Sequence, residues 1–399
     1  MRKIISSGQT SSGLIVGNNS LLVVFSGGRV TATQVDAGGS LIISGGIARL
    51  TSLHSGREVV SAGGESISAA VSVGSDEIIR SGGEAIHATV DSGGKQIVSS
   101  GGTVVGTAVS SGGTQIVYGG GLARGSIMGD HGLELVGSAG VTTNTTVESG
   151  GELELRSGGD ASGLTVLAGG ELLYAGGSIN SLKIDSGGSA VLIAQAEGLV
   201  VTSGASVIIS KGGVASDTKV LKGGTLVYAG GTAVGTVVSS GGNLGVAGGT
   251  TVSDLTVEKG ATLYVSAGAT AIDTTLNGGT EFVEDGGAIA GVQHFGGNAG
   301  LSIAAKESLN LSISGFSSTD ILDFSGYSVN KSKVSFKEDP SKSFGTLTLT
   351  SGSFSTTIKL FGQYMAAGFQ HSPDPFGGGT EILYTIRTAT PGVLAHGHG

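Results

Sequence analysis

The feature that most constrains this chain is an internal repeat. DSGGKQIVSSGGTVVGTAV (91–109), SSGGTQIVYGGGLARGSIM (110–128) and ESGGELELRSGGDASGLTV (148–166) are each 19 residues long and align without gaps. LKGGTLVYAGGTAVGTVV (221–238) is the same unit one residue shorter. A corner of small residues returns at 38, 56, 74, 93, 112, 131, 150, 169, 187, 204, 223, 241, 260, 278 and 296, which is 14 intervals of 18.4 residues on average. Self-similarity at so short a period is the signature of a solenoid, in which each unit buries its apolar residues only against its neighbours. An 18–19-residue unit is too short for two packed helices. Its glycines and β-branched residues disfavour helix in any case.

Aligning the units gives three apolar columns. One stands three residues before the corner: Val35, Leu53, Val71, Val90, Val109, Met128, Val147, Val166, Ile184, Val201, Val220, Val238 and Val257. A second follows the corner: Val98, Val117, Val136, Leu155, Tyr174, Leu192, Ile209, Tyr228, Val246, Val265 and Val283. A third opens the segment after the second glycine corner: Val104, Leu122, Val141, Ile179, Val214, Val234, Val252 and Ile272. Three inward positions per unit, separated by corners, predict one turn of a parallel β-helix, with about 15 such turns in all. Glycine suits the corners because they need positive φ or a close approach of backbone to backbone. Acids before the corner (Asp36, Asp91, Glu148, Asp185, Glu258) read as turn-stabilising or solvated side chains. Residues 189–200 lack the second glycine pair, which marks repeat degeneracy or a local binding feature.

Composition narrows the class further. With 77 glycines but only four prolines in 399 residues, and no strict third-position glycine, the chain is not collagen. With no cysteine, a disulfide scaffold and a thiolate metal site are excluded. At 38% hydrophobic and 13% charged residues, it is too apolar for plain disorder. The net charge of −9 argues against nucleic acid as a partner, since that needs a basic stripe. No apolar run approaches the ~20 residues of a membrane helix. The opening MRKIISSGQTSSGLIV has a basic n-region but no apolar h-region, so it does not read as an ordinary signal peptide.

Residues 1–300 hold 65 of the glycines and three phenylalanines; residues 301–399 hold 12 glycines and eight phenylalanines. Two domains follow: 1–297, the repeat, and 298–399, a small C-terminal β domain. In the second, GTLTLTSGSFSTTIKLFG (345–362) reads as a hairpin through alternating Leu347, Leu349, Ile358 and Leu360. TDILDFSGYS (319–328) and GGTEILYTI (378–386) supply further strands. Such a module would cap the open end of a solenoid, serve export, or do both.

No catalytic, cofactor or metal site emerges. The calcium nonapeptide GGxGxDxUx, EF-hand loops, HExxH, P-loops and GxSxG are absent. Asp320 and Asp323 are weak candidates for calcium, and His396 and His398 for a metal at the chain end. The best acidic patch is Glu152 with Glu171, in one column of neighbouring turns, and Glu134 and Glu154 close by. Without an Arg or His constellation beside it, this patch reads as a solvated face. Arg57 and Arg124 each stand alone.

The alternation of SGG and GG corners with QIV, LVY and ELEL strands resembles the AIDA-type passenger repeats of self-associating autotransporter adhesins. The resemblance spans about residues 5–297. It implies a right-handed β-helical rod on a Gram-negative surface, used for adhesion, self-aggregation and biofilm growth, and in some members O-glycosylated on serines by heptosyltransferases. The chain departs from that family in showing no long signal peptide and no C-terminal translocator. The C-terminal segment resembles modules that follow repeat regions in large bacterial secreted proteins. The expectation is a non-enzymatic secreted or cell-surface adhesin. Its partners would be a second copy of itself, or host and environmental glycans and surface proteins, with a possible O-glycosyltransferase. A polysaccharide-active β-helix enzyme and a carrier scaffold for display or export are the alternatives.

Overall fold

The computed structural model describes residues 1–304, 309–374 and 379–385. It is all-β: a parallel β-solenoid of about 17 turns, followed by a C-terminal β region. The excess over the 15 turns expected has a simple source. Parallel pairing does not stop near residue 297, because Gly300–Ile303 pairs in parallel with Ile321–Phe324.

The chain divides into two compact units, one of residues 1–218 and 223–226, the other of 219–222 and 227–399. In the first, each turn contributes a four- or five-residue strand to one long ladder, of which Lys95–Val98, Thr114–Val117 and Leu133–Val136 are successive rungs. The rest of the turn forms a kinked ladder of two short strands, such as Thr103–Val105 and Ala108–Val109. One residue of positive φ separates them: Ala32, Leu50, Ser68, His87, Gly106, Gly125 and Asn144 in successive turns.

The glycine pairs separate the two reasons for glycine. Gly101 has φ +76, which a Cβ would strain. On Gly102 a Cβ would stand 2.5 Å from the carbonyl oxygen of Ile79 in the turn below, so that glycine serves close stacking.

The first two apolar columns are buried through the described turns, Val35 to Val257 and Val98 to Val283. The third is inward only in part. Val104 and Val252 are buried, and Ile179 stands in register with the buried Ala161. The ladder pairs Val104 with Ala123, Thr142 and Ala161, and these face the core. Leu122 and Val141 pair instead with Thr103 and are only half-buried, while Val234 is 53% exposed. At Leu122, Val141, Val214, Val234 and Ile272 the inward residue is the small neighbour on one side or the other: Ala123, Thr142, Ala215, Ala233 and Ala271.

The second unit has its own parallel ladder through Thr262–Val265, Thr280–Val283 and Gly300–Ile303. Antiparallel strands then take over. Phe344–Ser351 and Phe354–Phe361 form the expected hairpin, with Leu347 opposite Ile358 and Gly352 at φ +66 in the turn. Leu347, Leu349, Ile358 and Leu360 are all fully buried. Ile321–Phe324 pairs antiparallel with Thr380–Tyr384, which pairs with Phe369–Pro373. The late phenylalanines have a role here: Phe336, Tyr364, Phe369 and Tyr384 stack on one another at centroid distances of 4.8–6.1 Å. Burial and the neighbouring Tyr384 push the Tyr364 hydroxyl up to about 12.

Candidate functional site

The long ladder of the first unit carries the most unusual chemistry. Its strands alternate faces with period two. In five consecutive turns the two faces have the reverse of the usual polarity. Glu58, Glu77, Gln96, Gln115 and Glu134 stand in register and point inward, all of them fully buried. Val59, Ile78, Ile97, Ile116 and Leu135, each the very next residue, stand in register on the outer face. The outer column also runs back through Ile42, Val23 and Ile4 and on to Leu173, Val191 and Ile208, and Glu154 alone interrupts it.

Hydrogen bonds hold the inner polar column together. Gln96 Nε2 donates to Glu77 Oε2 at 2.8 Å, and Gln115 Nε2 donates to Gln96 Oε1 at 2.7 Å. Thr107 Oγ1 also donates to Gln96 Oε1, and Thr142 Oγ1 donates to Glu134 Oε1 at 2.8 Å. No cation lies beside these carboxyls, so burial favours the neutral acid. Burial and the adjacent Glu77 push Glu58 up to about 8; burial pushes Glu77 and Glu134 up to about 7. In the second unit Glu281, between Leu263 and Leu301, is pushed by burial to about 8.

The expected acidic patch is brought together only in part. Glu152 and Glu171 are in register and exposed. They border an outer depression with Leu173, Ser189, Val191 and Ser206. Glu134 is not part of the patch: it faces the core, because it is one position out of phase with Glu152 and Glu154. An arginine does stand beside the patch. Arg156 Nε and Nη2 donate to the two oxygens of Glu154, both at 2.8 Å, and this holds the Glu154 carboxyl below its ordinary range. The pairing neutralises Glu154 on the surface. Glu152 and Glu171 both stand on the solvated outer face.

Asp320 does not fit calcium. Its carboxylate is buried and already accepts from the N–H of Ala299 and from both N–H and Oγ of Ser317, at 2.7–2.8 Å. Those donors would face a cation with hydrogen. Asp323 accepts from Ser302 Oγ at 2.6 Å, and burial raises its pKa. Among the described residues no group of three or more His, Asp or Glu could hold a metal. His396 and His398 lie outside the described residues. Arg57 stands in register with Asp76 of the next turn, and Arg124 with Val105 and Thr143.

In the second unit the outer face of the same strand position carries Tyr264 and Phe282, 46% and 39% exposed. Their rings stack with centroids 5.5 Å apart and planes 16° from parallel.

The fold and this site define a parallel β-solenoid whose side walls carry its distinctive chemistry. Comparison with family models finds no match, and neither does comparison with curated proteins. Among solved structures, the chain is similar to the TibC-catalysed hyper-glycosylated fragment of TibA, residues 55–350 of that protein. The match has 28% identity and a TM-score of 0.49, and covers 72% of this chain and 94% of that one.

Proposed function

We propose that this protein is a non-enzymatic, adhesin-like structural protein of a bacterial surface or secretion, which associates through the sides of its solenoid. The observation that carries the reading is the outer aliphatic column. Val59, Ile97, Ile116 and Leu135 are half-buried and Ile78 is buried, so the column is a partly exposed apolar ridge, and contiguous apolar surface marks association sites. Here the column repeats at the strand spacing of ~4.8 Å, so a matching surface meets many weak contacts at once, and avidity replaces a single pocket. A second copy of the chain satisfies this geometry. The stacked Tyr264–Phe282 pair offers apolar ring faces to glycans. Residues 1–297 supply the adhesive walls in this reading. Residues 298–399 close the end of the solenoid, since their antiparallel strands cover edges that would otherwise recruit further strands. Adhesion and biofilm growth follow, and O-glycosylation of exposed corner serines by a dedicated transferase is compatible with it.

Sedimentation velocity of the purified chain, together with settling of cells that display it, tests this. Wild type is expected to self-associate with rising concentration. Ile97→Lys/Ile116→Lys, changed only on the outer face, is expected to stay monomeric with unaltered circular dichroism. A wild type that remains monomeric at high concentration, or a double variant that associates equally well, overturns the proposal.

A further inference from the structure

In almost every turn of the first unit the kinked ladder is closed by the same cross-turn bond. The residue of positive φ donates its N–H to a carbonyl one turn on: Ala32 to Arg49, Leu50 to Ile67, Ser68 to Ile86, His87 to Val105, Gly106 to Arg124, Gly125 to Thr143 and Asn144 to Ser162. The bond resumes at Gly198, which donates to Ser216. Between these, Gly163 lies inside the paired strands Asp160–Val166 and Ser178–Ile184. The next turn breaks the series: Ser178–Ile184 ends its sheet, and neither Gln195–Glu197 nor Val200–Val201 ladders onto it. Two other recurrent bonds lapse here: Asp185 donates to Val166 but Thr202 N–H does not donate to Ile184, and Ser178 donates to Gly159 but Gln195 N–H does not donate to Gly177.

The break coincides with a change in sequence: residues 189–200 lack the second glycine pair, although Ser189–Leu192 still ladders onto Glu171–Ala175. The strand Ser178–Ile184 pairs on one edge only, with Asp160–Val166. Gln195–Glu197 pairs only on its far side, with Val214–Ser216. Between the two open edges lies a cavity of about 480 Å³. Ile179 and Leu182 line it, half-buried, at the register positions where Ala161 and Leu164 are fully buried one turn earlier. Leu192, Leu199 and Val200 complete its apolar wall. At its mouth the Tyr174 hydroxyl lies 2.9 Å from the Gly177 carbonyl and 2.8 Å from the Gln195 carbonyl, and its single proton serves one of them.

We propose that this cleft is a binding site for one extended peptide segment of a partner protein, which enters as an added strand between the two open edges. The cleft selects for backbone. It presents two strand edges without a ladder partner on facing walls, and backbone groups left uncompensated beside an apolar cavity are costly. An added strand satisfies both walls and places alternate apolar side chains over Ile179 and Leu182, which is the general mode of strand addition. A compact apolar molecule would fill the space but leave both strand edges without a ladder partner. The proposal does not depend on self-association through the outer column.

The test uses the full chain and a fluorescein-labelled peptide of sequence DASGLTV, a copy of residues 160–166, the strand that already pairs along the other edge of Ser178–Ile184. Saturable anisotropy is expected. Hydrogen exchange should show the amides on the facing edges of Ser178–Ile184 and Gln195–Glu197 open in the free protein and protected on peptide addition. The same peptide N-methylated at alternate residues should bind at least tenfold more weakly. Three results would each overturn the proposal: no saturable binding up to millimolar peptide, equal binding of the N-methylated peptide, or the amides of both edges already protected without peptide.

Discussion

Glu134→Gln should convert a pH-sensitive stretch of the solenoid into an insensitive one. Glu134 is fully buried, burial raises it to about 7, and its ordinary value is 4.5. The folded state therefore holds the proton more tightly than the unfolded chain. The stability this carboxyl allows is complete below pH 4.5 and is lost as pH rises through 7. At 1.36 kcal/mol per unit, the displacement of about 2.5 units costs about 3 kcal/mol by pH 8, an order-of-magnitude figure. Glutamine stays neutral, and its in-register neighbour Gln115 shows that the interior accepts it. The variant should match wild type at pH 4 and exceed it by about 3 kcal/mol at pH 8. Because a solenoid need not unfold in two states, the readout should be local. Hydrogen exchange of the Leu133–Val136 amides at pH 4, 6 and 8, corrected for intrinsic rates, gives it alongside urea midpoints. A wild type whose local stability is flat from pH 4 to 8, or a variant with the same pH slope, would refute the argument that a neutral acid sits in the core.

Three further outcomes follow from other parts of the structure. Gly102→Ala drives a Cβ against the Ile79 carbonyl and should cost at least ~2 kcal/mol, whereas Gly112→Ala has positive φ but open space and should cost about 1 kcal/mol; urea midpoints separate the two. Leu349→Ala leaves a cavity in the C-terminal hairpin and should cost ~2–5 kcal/mol, with exchange rising selectively in Phe344–Ser351 and Phe354–Phe361. Tyr264→Ala/Phe282→Ala removes the exposed ring pair and should abolish retention on immobilised polysaccharide, with circular dichroism unchanged; undiminished retention would show that sugar, if bound, meets another surface.

The solenoid was legible because its signal is redundant. Thirteen apolar residues in one column, and glycine pairs at a fixed spacing, each specify the same coil. The third column held at Val104 and Val252 but was displaced at Leu122, Val141, Val214, Val234 and Ile272, because the inward Ala123, Thr142, Ala215, Ala233 and Ala271, small residues at a tight inner corner, give no contrast with their surroundings. The inner polar column was missed for another reason. Gln96 lies two residues before Val98, so period-two alternation already puts both on one face; residue type argued for solvent and alternation for the core, and alternation prevailed. The same logic misplaced Glu134 among the surface acids. The break at residues 189–200 was visible as a missing glycine pair, but its consequence, two unpaired strand edges, depends on cross-turn hydrogen bonds that no residue type announces.

The reversed polarity of five turns bears on why the outer column exists. A slip of one residue in the long strands would exchange the faces, putting Val59, Ile78, Ile97, Ile116 and Leu135 inside and the Glu and Gln side chains in water. The same slip would expel Val60, Ile79, Val98, Val117 and Val136, which share the inner face two residues from the polar set, so hydrophobic burial does not favour it. The glycine corners oppose it too, because they admit no shift against the carbonyls below. The sequence thus keeps its carboxyls in a place where they stay folded only as neutral acids. It places aliphatic residues on a face where Val59, Ile97, Ile116 and Leu135 are only half-buried. Burying a polar group unnecessarily lowers stability, and exposing an aliphatic ladder invites association. Both costs fall on the same five turns, and a single benefit accounts for both if the ladder is covered in the working assembly. Lysine at positions 97 and 116 should therefore leave monomer stability almost unchanged while removing association. If the same substitutions instead unfolded the monomer, the outer column would be part of its core, and the reversed polarity would have no bearing on partners.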